Sequence, residues 1–300
     1  MSAAILPPVL ALAGAPLLQG IITRTKAWFA GRRGPPLLQP YYDIAKLLRK
    51  GAVYSGTTSW VFRLGPAAGV GVAALCLLFL PLGNLPAPFS FEGDLVFVIY
   101  LLALARFLTV IAAMDTGSAF EGMGASREMA FAALAEPALL FGLVAVARQT
   151  GRLSLEGLIR PIDVGDWAAH GATLLLVLAG LFLVFLAENS RIPVDDPTTH
   201  LELTMIHEVM VLDHGGPDFA FVEYAAALKL WILGALITGI ALPVRTGEVA
   251  IDLAAMVAGL AGLAVLVGII ESTLVRLRLV QVPHLLIGAC SLALLGFLIQ

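Results

Sequence analysis

Three hundred residues that are 59% hydrophobic and only 13% charged, with a mean hydropathy of +0.94, exclude a soluble globular domain, which needs more charge to cover its surface. The net charge of −3 is small and says nothing of nucleic acid; nothing suggests a basic groove with interleaved aromatics, so no nucleic-acid partner is expected. The two cysteines, Cys76 and Cys290, stand alone in apolar runs and cannot form a cluster or zinc site within this chain.

Hydropathy predicts an all-α, polytopic membrane protein forming one integral membrane domain over residues 1–300. Eight apolar runs are long enough to cross a hydrocarbon core: 4–22, 63–82, 95–113, 129–148, 171–187, 221–242, 250–270 and 281–299. The opening run lacks a basic n-region and a convincing cleavage site, so it is expected to be the first span rather than a removed signal peptide. "PLGNLPAP", "DTGSAFEGMGAS", "RPIDVGDW" and "PVRTGE" mark span ends. No fixed-period repeat is visible.

With the N-terminus outside, the inner loops hold twelve Lys and Arg residues and the outer loops four. The positive-inside rule therefore places both termini on the extracytoplasmic side. In the first inner loop Leu37, Tyr41, Ile44 and Leu48 form a helical apolar stripe, while Gln39, Asp43, Lys46 and Lys50 occupy other faces. This is the pattern of a helix lying in the membrane interface, with Pro40 in its first turn.

Ionisable groups inside spans cost at least about 2.5–3.5 kcal/mol each and need a reason. Arg106, Glu136 and Lys229 interrupt spans three, four and six. Counted from the cytoplasmic ends, all three lie roughly 12–14 Å deep and can meet in one layer. Asp115, Glu121, Glu128, Glu188 and Glu271 are expected to line the cytoplasmic mouth above it. Such a stack suits a proton or ion relay; the alternative is a static ion-pair network that fixes helix packing. Arg106 is an electrostatic anchor in either case, because guanidinium does not release its proton. Glu136 stands directly before Pro137, where a break in the helix is expected to admit water.

The stretch 188–210, "ENSRIPVDDPTTHLELTMIHEVM", puts five carboxylates and two histidines directly after an apolar run. Its "RIPVDDP" reads as an extended turn, and Thr198 or Thr199 as the cap of a short helix carrying His200, Glu202, His207 and Glu208. Arg191, Asp195 and Asp196 complete a candidate coupling loop. Val211 stands where a zincin would need its second histidine, so no metal site is expected.

Together "RRGPPLLQPYYDIAKLL", "DTGSAFEGMGASREMAFAALAEP" and "ENSRIPVDDPTTHLELTMIHE" resemble the membrane subunit related to subunit 1 of respiratory complex I. The likeness is to the branch of formate hydrogenlyase and other energy-converting group 4 nickel–iron hydrogenases, and it runs over nearly the whole chain. The resemblance implies a membrane foot on which large and small hydrogenase-like subunits and a ferredoxin-like subunit dock. It also implies antiporter-like membrane partners and a bacterial or archaeal cytoplasmic membrane. Those partner subunits, not this chain, would carry the Fe–S clusters and NiFe centre. By motif, Arg32, Arg33, Gly34 and Pro35 match the family's segment after the first span; Arg32, Arg33, Asp43 and Lys46 form the candidate docking face. Glu188, Arg191, Pro193, Asp195 and Pro197 match its acidic loop, and Glu136 its buried glutamate.

Members that reduce quinone carry a longer insert between the "RRxGP" and "LLQP" elements. Here Pro36 runs straight into Leu37, which leaves less wall for a quinone tail. A quinone-site subunit stays as the alternative function. A stand-alone transporter would show matched repeats, and an inert anchor would leave the buried charges without a task.

Overall fold

The computed structural model describes residues 2–195 and 205–299. Among these residues the chain is helical, and its one β feature is an isolated bridge between Leu82 and Leu85. Eight helices are long and apolar enough to cross a membrane, as the hydropathy predicts. They are α1 (Ser2–Phe29), α3 (Trp60–Leu77), α4 (Asp94–Asp115), α5 (Ala119–Thr150), α7 (Val164–Glu188), α8 (Gly216–Ala241), α9 (Val249–Thr273) and α10 (Val282–Ile299). Between them lie α2 (Gln39–Leu48) and the short α6 (Leu155–Ile159).

The hydrophobic effect does not separate one apolar helix from another inside lipid, so close packing and internal polar bonds hold the bundle. Helix α8 is its axis: it packs against α1, α2, α3, α7 and α9, and 61% of its apolar window is buried against 28% for α9 and α10. Helix α10 closes the far side on α5 and α7. There Gly180 lets α7 approach the α10 backbone, since a Cβ at that position would sit 2.8 Å from the Ala289 carbonyl.

Proline inside α1 shows how a freed carbonyl is reused. Pro16 has no N–H to offer the Leu12 carbonyl one turn back, and the Tyr224 hydroxyl of α8 donates to that oxygen at 2.8 Å. The Tyr41 hydroxyl of α2 donates to the next carbonyl, Ala13, at 2.5 Å. The turn before Pro16 is therefore the point where α2 and α8 latch onto α1. Helix α2 itself buries no residue fully, starts with Pro40 in its first turn, and keeps Leu48 exposed, as an interfacial helix requires. Leu37 of the expected stripe precedes it.

Three sequence expectations change. Helix α5 starts ten residues before the expected 129, and the "DTGSAFEGMGAS" connection shrinks to Thr116–Ser118. The polar turn carrying Glu121 and Glu128 stays helical because both carboxylates find partners inside the bundle. The break expected at Glu136 does not occur, and α5 runs unbroken through Pro137; losing one N–H is tolerated in a helix that neighbours support. The bundle's dihedral kink lies instead at His170 in α7. Lastly, the helix expected over 200–210 does not extend over its described part: residues 205–207 are irregular, and only Glu208–Val211 form a 3-10 turn. Residues 206 and 207 instead donate their backbone N–H groups to Asp195, each at 3.2 Å, which replaces helical bonding there.

Candidate functional site

One guanidinium organises the buried polar layer. Arg106 of α4 is 7% exposed at its side chain and meets three carboxylates from two other helices. Its Nε lies 3.1 Å from Glu128 of α5, its Nη2 2.5 Å from Glu188 at the end of α7, and its Nη1 is hydrogen-bonded to Glu136 of α5. Glu188 then pairs through its second oxygen with Lys229 of α8 at 3.3 Å. Arginine suits this hub, because its planar fork offers donors in three directions at fixed charge.

From Glu128 the layer continues toward the loop. His207 Nε2 lies 2.9 Å from Glu128, and its Nδ1 is 3.6 Å from Asp195, too long for a hydrogen bond but close for an ion pair. Asp195 also pairs with Arg276 at 2.8 Å. The unbroken order is Arg276, Asp195, His207, Glu128, Arg106, Glu188, Lys229, with Glu136 branching from Arg106. Burial alone would lower the affinity of His207 for its proton. The Glu128 carboxylate beside it, aided by Asp195, outweighs burial and pushes its pKa up to about 9. Burial would likewise raise Asp195, but His207 and Arg276 hold its carboxyl below the usual range.

A second bridge stands on the same wall. Glu271 of α9, with no side-chain exposure, pairs with Lys26 of α1 at 2.8 Å and with Arg191 of the loop at 3.3 Å. Both groups face a cavity of about 450 Å³ lined by α1, α2, α3, α4, α8 and the loop. Its charged walls include Arg106, Glu128, Glu188, His207, Lys229 and Glu271, while Ile44 and Leu47 of α2 and Ile22 of α1 line its apolar side. The short connection before α2 predicts little wall here; α2 itself supplies that wall.

The structure thus brings together Arg106, Glu136, Lys229, Glu128, Glu188, Asp195 and His207, with Arg191 and Glu271 nearby. Glu208 and Asp43 also line the cavity, and Asp43 accepts a hydrogen bond from Gln39 at 2.9 Å. Two residues expected in the carboxylate stack stand apart. Asp115 accepts from the backbone N–H groups of Ser59 at 2.6 Å and Phe62 at 3.3 Å, serving the orphan donors that open α3. Glu121 is buried but accepts from the Asp213 N–H at 3.1 Å and ties the loop to α5. Counting residues along helices gives depth but not azimuth, so it groups these two with the rest. Arg32, Arg33 and Lys46 are exposed and touch none of this layer. Asp196, His200 and Glu202 lie outside the described residues.

Sequence reasoning misses Lys26 and Arg276, which read only as topology charges. It also places His207 on a short helix of the coupling loop rather than in the middle of the ion-pair chain. The available signal is that Glu271 and Asp195, both read as buried or loop acids, need cationic partners near a span end.

Comparison with known proteins places the chain in a family. The chain is 32% identical to formate hydrogenlyase subunit 4 of Escherichia coli (strain K12) over 290 residues, covering 94% of this chain and 93% of that one. It is 32% identical over 289 residues to hydrogenase-4 component C of the same organism, covering 94% and 90%. Identity falls to 26% over 224 residues with an NADH-quinone oxidoreductase subunit of Paraburkholderia xenovorans (strain LB400), covering 70% of this chain and 62% of that one. The fold matches a chain of the membrane-bound sulfane sulfur reductase, an archaeal respiratory membrane complex, with a TM-score of 0.84 at 23% identity and coverage of 99% and 98%. With a family match that spans residues 1–300, the chain belongs to the NADH dehydrogenase family, in the line of complex I subunit 1.

Proposed function

We propose that this chain is the membrane-anchoring and ion-coupling subunit of a multisubunit redox complex. It links electron transfer in a docked nickel–iron-hydrogenase-type arm to proton movement through the membrane. The observation that carries this reading is the connected chain of ion pairs from the loop residue Asp195 to Glu136 in mid-helix, set against a cavity that its charged groups line. A packing device alone does not need a cavity beside it; a route for protons does. The cations here are side chains of fixed position, and each carboxylate of the layer faces one, which suits proton exchange better than sodium coordination. The 32% identity to formate hydrogenlyase and hydrogenase-4 subunits over nearly full length supports the hydrogenase-type arm over a quinone-type one.

In this reading the chain performs no redox chemistry itself. Hydrogenase-like large and small subunits and a ferredoxin-like subunit, carrying the Fe–S clusters and NiFe centre, dock over the loop, Arg32, Arg33 and Lys46. Antiporter-like subunits continue the path in a bacterial or archaeal cytoplasmic membrane, and both termini face outward. One observation favours the quinone alternative: the cavity has an apolar side formed by α1 and α2.

Purification of the intact membrane complex, with identification of its soluble subunits, tests the partner assignment. Glu136→Gln and Glu188→Gln in that complex test the coupling: H2 turnover should persist while ion movement per H2 falls. Wild-type coupling in either variant overturns the relay, and inhibition by a quinone-site blocker would favour the alternative.

A further inference from the structure

The inner ion-pair layer does not balance on its own. Among the described residues, Arg106 and Lys229 supply two positive charges, and Glu128, Glu136 and Glu188 three negative ones. The missing charge comes from His207 when it is an imidazolium, since its Nε2 stands 2.9 Å from Glu128. Asp195 and Arg276, on the far side of the ring, cancel each other. A buried uncompensated charge is costly, so the proton on this one ring decides the electrostatic state of the layer.

His207 is also placed to exchange that proton. It lines the cavity, as do Glu128 and Glu188, and its side chain is 21% exposed where Glu128 is 6% exposed. The segment that carries it is fixed on α5 from both sides. Arg127 donates to the Met205 carbonyl at 2.9 Å, and Gly124 leaves room for Val209 and Met210 against the helix. The ring therefore bridges two parts of the molecule: the loop through Asp195 and the membrane layer through Glu128.

We infer that His207 is the proton-loading group of the relay, taking protons from the cavity and passing them across the Nε2 to Oε2 contact to Glu128, with Asp195 as the residue that positions and holds the charged ring. This rests on the ion-coupling reading above. In the transfer the Nε2–H bond breaks and an O–H bond forms on Glu128; imidazolium becomes imidazole, carboxylate becomes carboxylic acid, and no electrons change hands. The charge of the layer is unchanged by that step, but Glu128 no longer holds Arg106 Nε, so the guanidinium rests on Glu136 and Glu188. Reloading His207 from the cavity then adds one positive charge, which favours loss of the proton from Glu128: its O–H bond breaks, the carboxylate re-forms and again faces Arg106 Nε, and the layer returns to neutrality.

The groups facing the ring are Asp195 from the loop with Arg276 behind it, Glu128 from α5 with Arg106 of α4 behind it, and Lys229 of α8. A pKa pushed up to about 9 keeps the ring loaded at neutral pH, and weakening the Asp195 contact lowers it toward the working range.

The test uses the intact complex in vesicles, with reduced methyl viologen as donor, H2 formation as the turnover readout and a lumenal pH dye. His207→Gln should lower protons moved per H2 by about tenfold or more. Asp195→Asn should keep coupling near neutral pH but move the alkaline limb of its pH profile down by about one unit. Glu188→Gln is the control. If it loses coupling while His207→Gln keeps the wild-type ratio and pH profile, this inference is overturned and the relay stands. If Glu188→Gln also keeps coupling, the relay reading has failed and this inference with it. Should His207→Gln not assemble, the Asp195→Asn profile decides, and an unshifted limb overturns the proposal.

Discussion

Replacing Arg106 separates charge from geometry at the centre of the layer. Arg106→Gln takes the inner cluster from neutral to a net charge of −1 when His207 is protonated. It leaves Glu136 without its cation, Glu188 with Lys229 alone and Glu128 with His207 alone. Breaking a buried pair by removing one partner costs about 3–5 kcal/mol, and two charge-assisted hydrogen bonds and one further ion pair are lost here. Because Glu136 is 39% exposed while Glu128 and Glu188 are 6% and 8% exposed, the two inner carboxylates carry most of that cost. Arg106→Lys keeps the charge, but one ammonium cannot meet three carboxylates set around a planar fork. It should therefore recover part of the stability and little of the coupling. Adding Glu136→Gln to Arg106→Gln restores charge balance and should return about 1–2 kcal/mol. Thermal denaturation of the detergent-solubilised complex, alongside ion movement per H2, reads both quantities. The reasoning fails if Arg106→Lys couples like the wild type, or if the double variant is no more stable than Arg106→Gln.

Three further outcomes follow from the same geometry. Glu271→Ala leaves Lys26 and Arg191 facing each other without their shared anion and should cost about 3 kcal/mol; Lys26→Ala, at a 27% exposed partner, should cost less than half of that, read as shifts in thermal midpoint. Gly180→Val drives a side chain into the Ala289 carbonyl and should separate α7 from α10, costing more than about 2 kcal/mol, whereas Gly288→Val, at a position with open space, should be tolerated in the same assay. Because the folded pKa of His207 lies above its ordinary value of 6.5, its contribution is complete below pH 6.5 and is lost as pH rises through about 9. A difference of this size is worth up to about 3 kcal/mol, so the thermal midpoint should fall across that window and His207→Gln should flatten the fall.

The spans were legible because lipid leaves a helix little choice: about twenty apolar residues must bond their own backbone. Their ends were less so. The 119–128 turn of α5 reads as a loop by hydropathy, yet Glu121 and Glu128 are satisfied by Asp213, Arg106 and His207, groups distant in sequence or carried on another element. The depth of Arg106 was readable from residue counts, and its choice of Glu128 and Glu188 was not, since that depends on the rotation of α4, α5 and α7 about their axes. Asp115 illustrates the opposite error. It sits at the right depth for the carboxylate stack, but the free N–H groups opening α3 are nearer and claim it.

The cavity explains why the layer is built from so many ionisable groups rather than from the apolar packing that is often at least as stable in a closed core. Apolar side chains at 106, 128, 188 and 229 would fill the layer and leave α8 a uniform helix against α7. Charged groups of unequal length, tethered at their heads, leave the 450 Å³ space beside them polar on one wall. Water can occupy such a space only when it finds about two to four polar partners, and Arg106, Lys229, Glu188 and His207 supply them. The ion pairs and the cavity are therefore one feature: the charges give the space its polar wall, and His207, the one group among them with a near-neutral intrinsic pKa, stands on that wall.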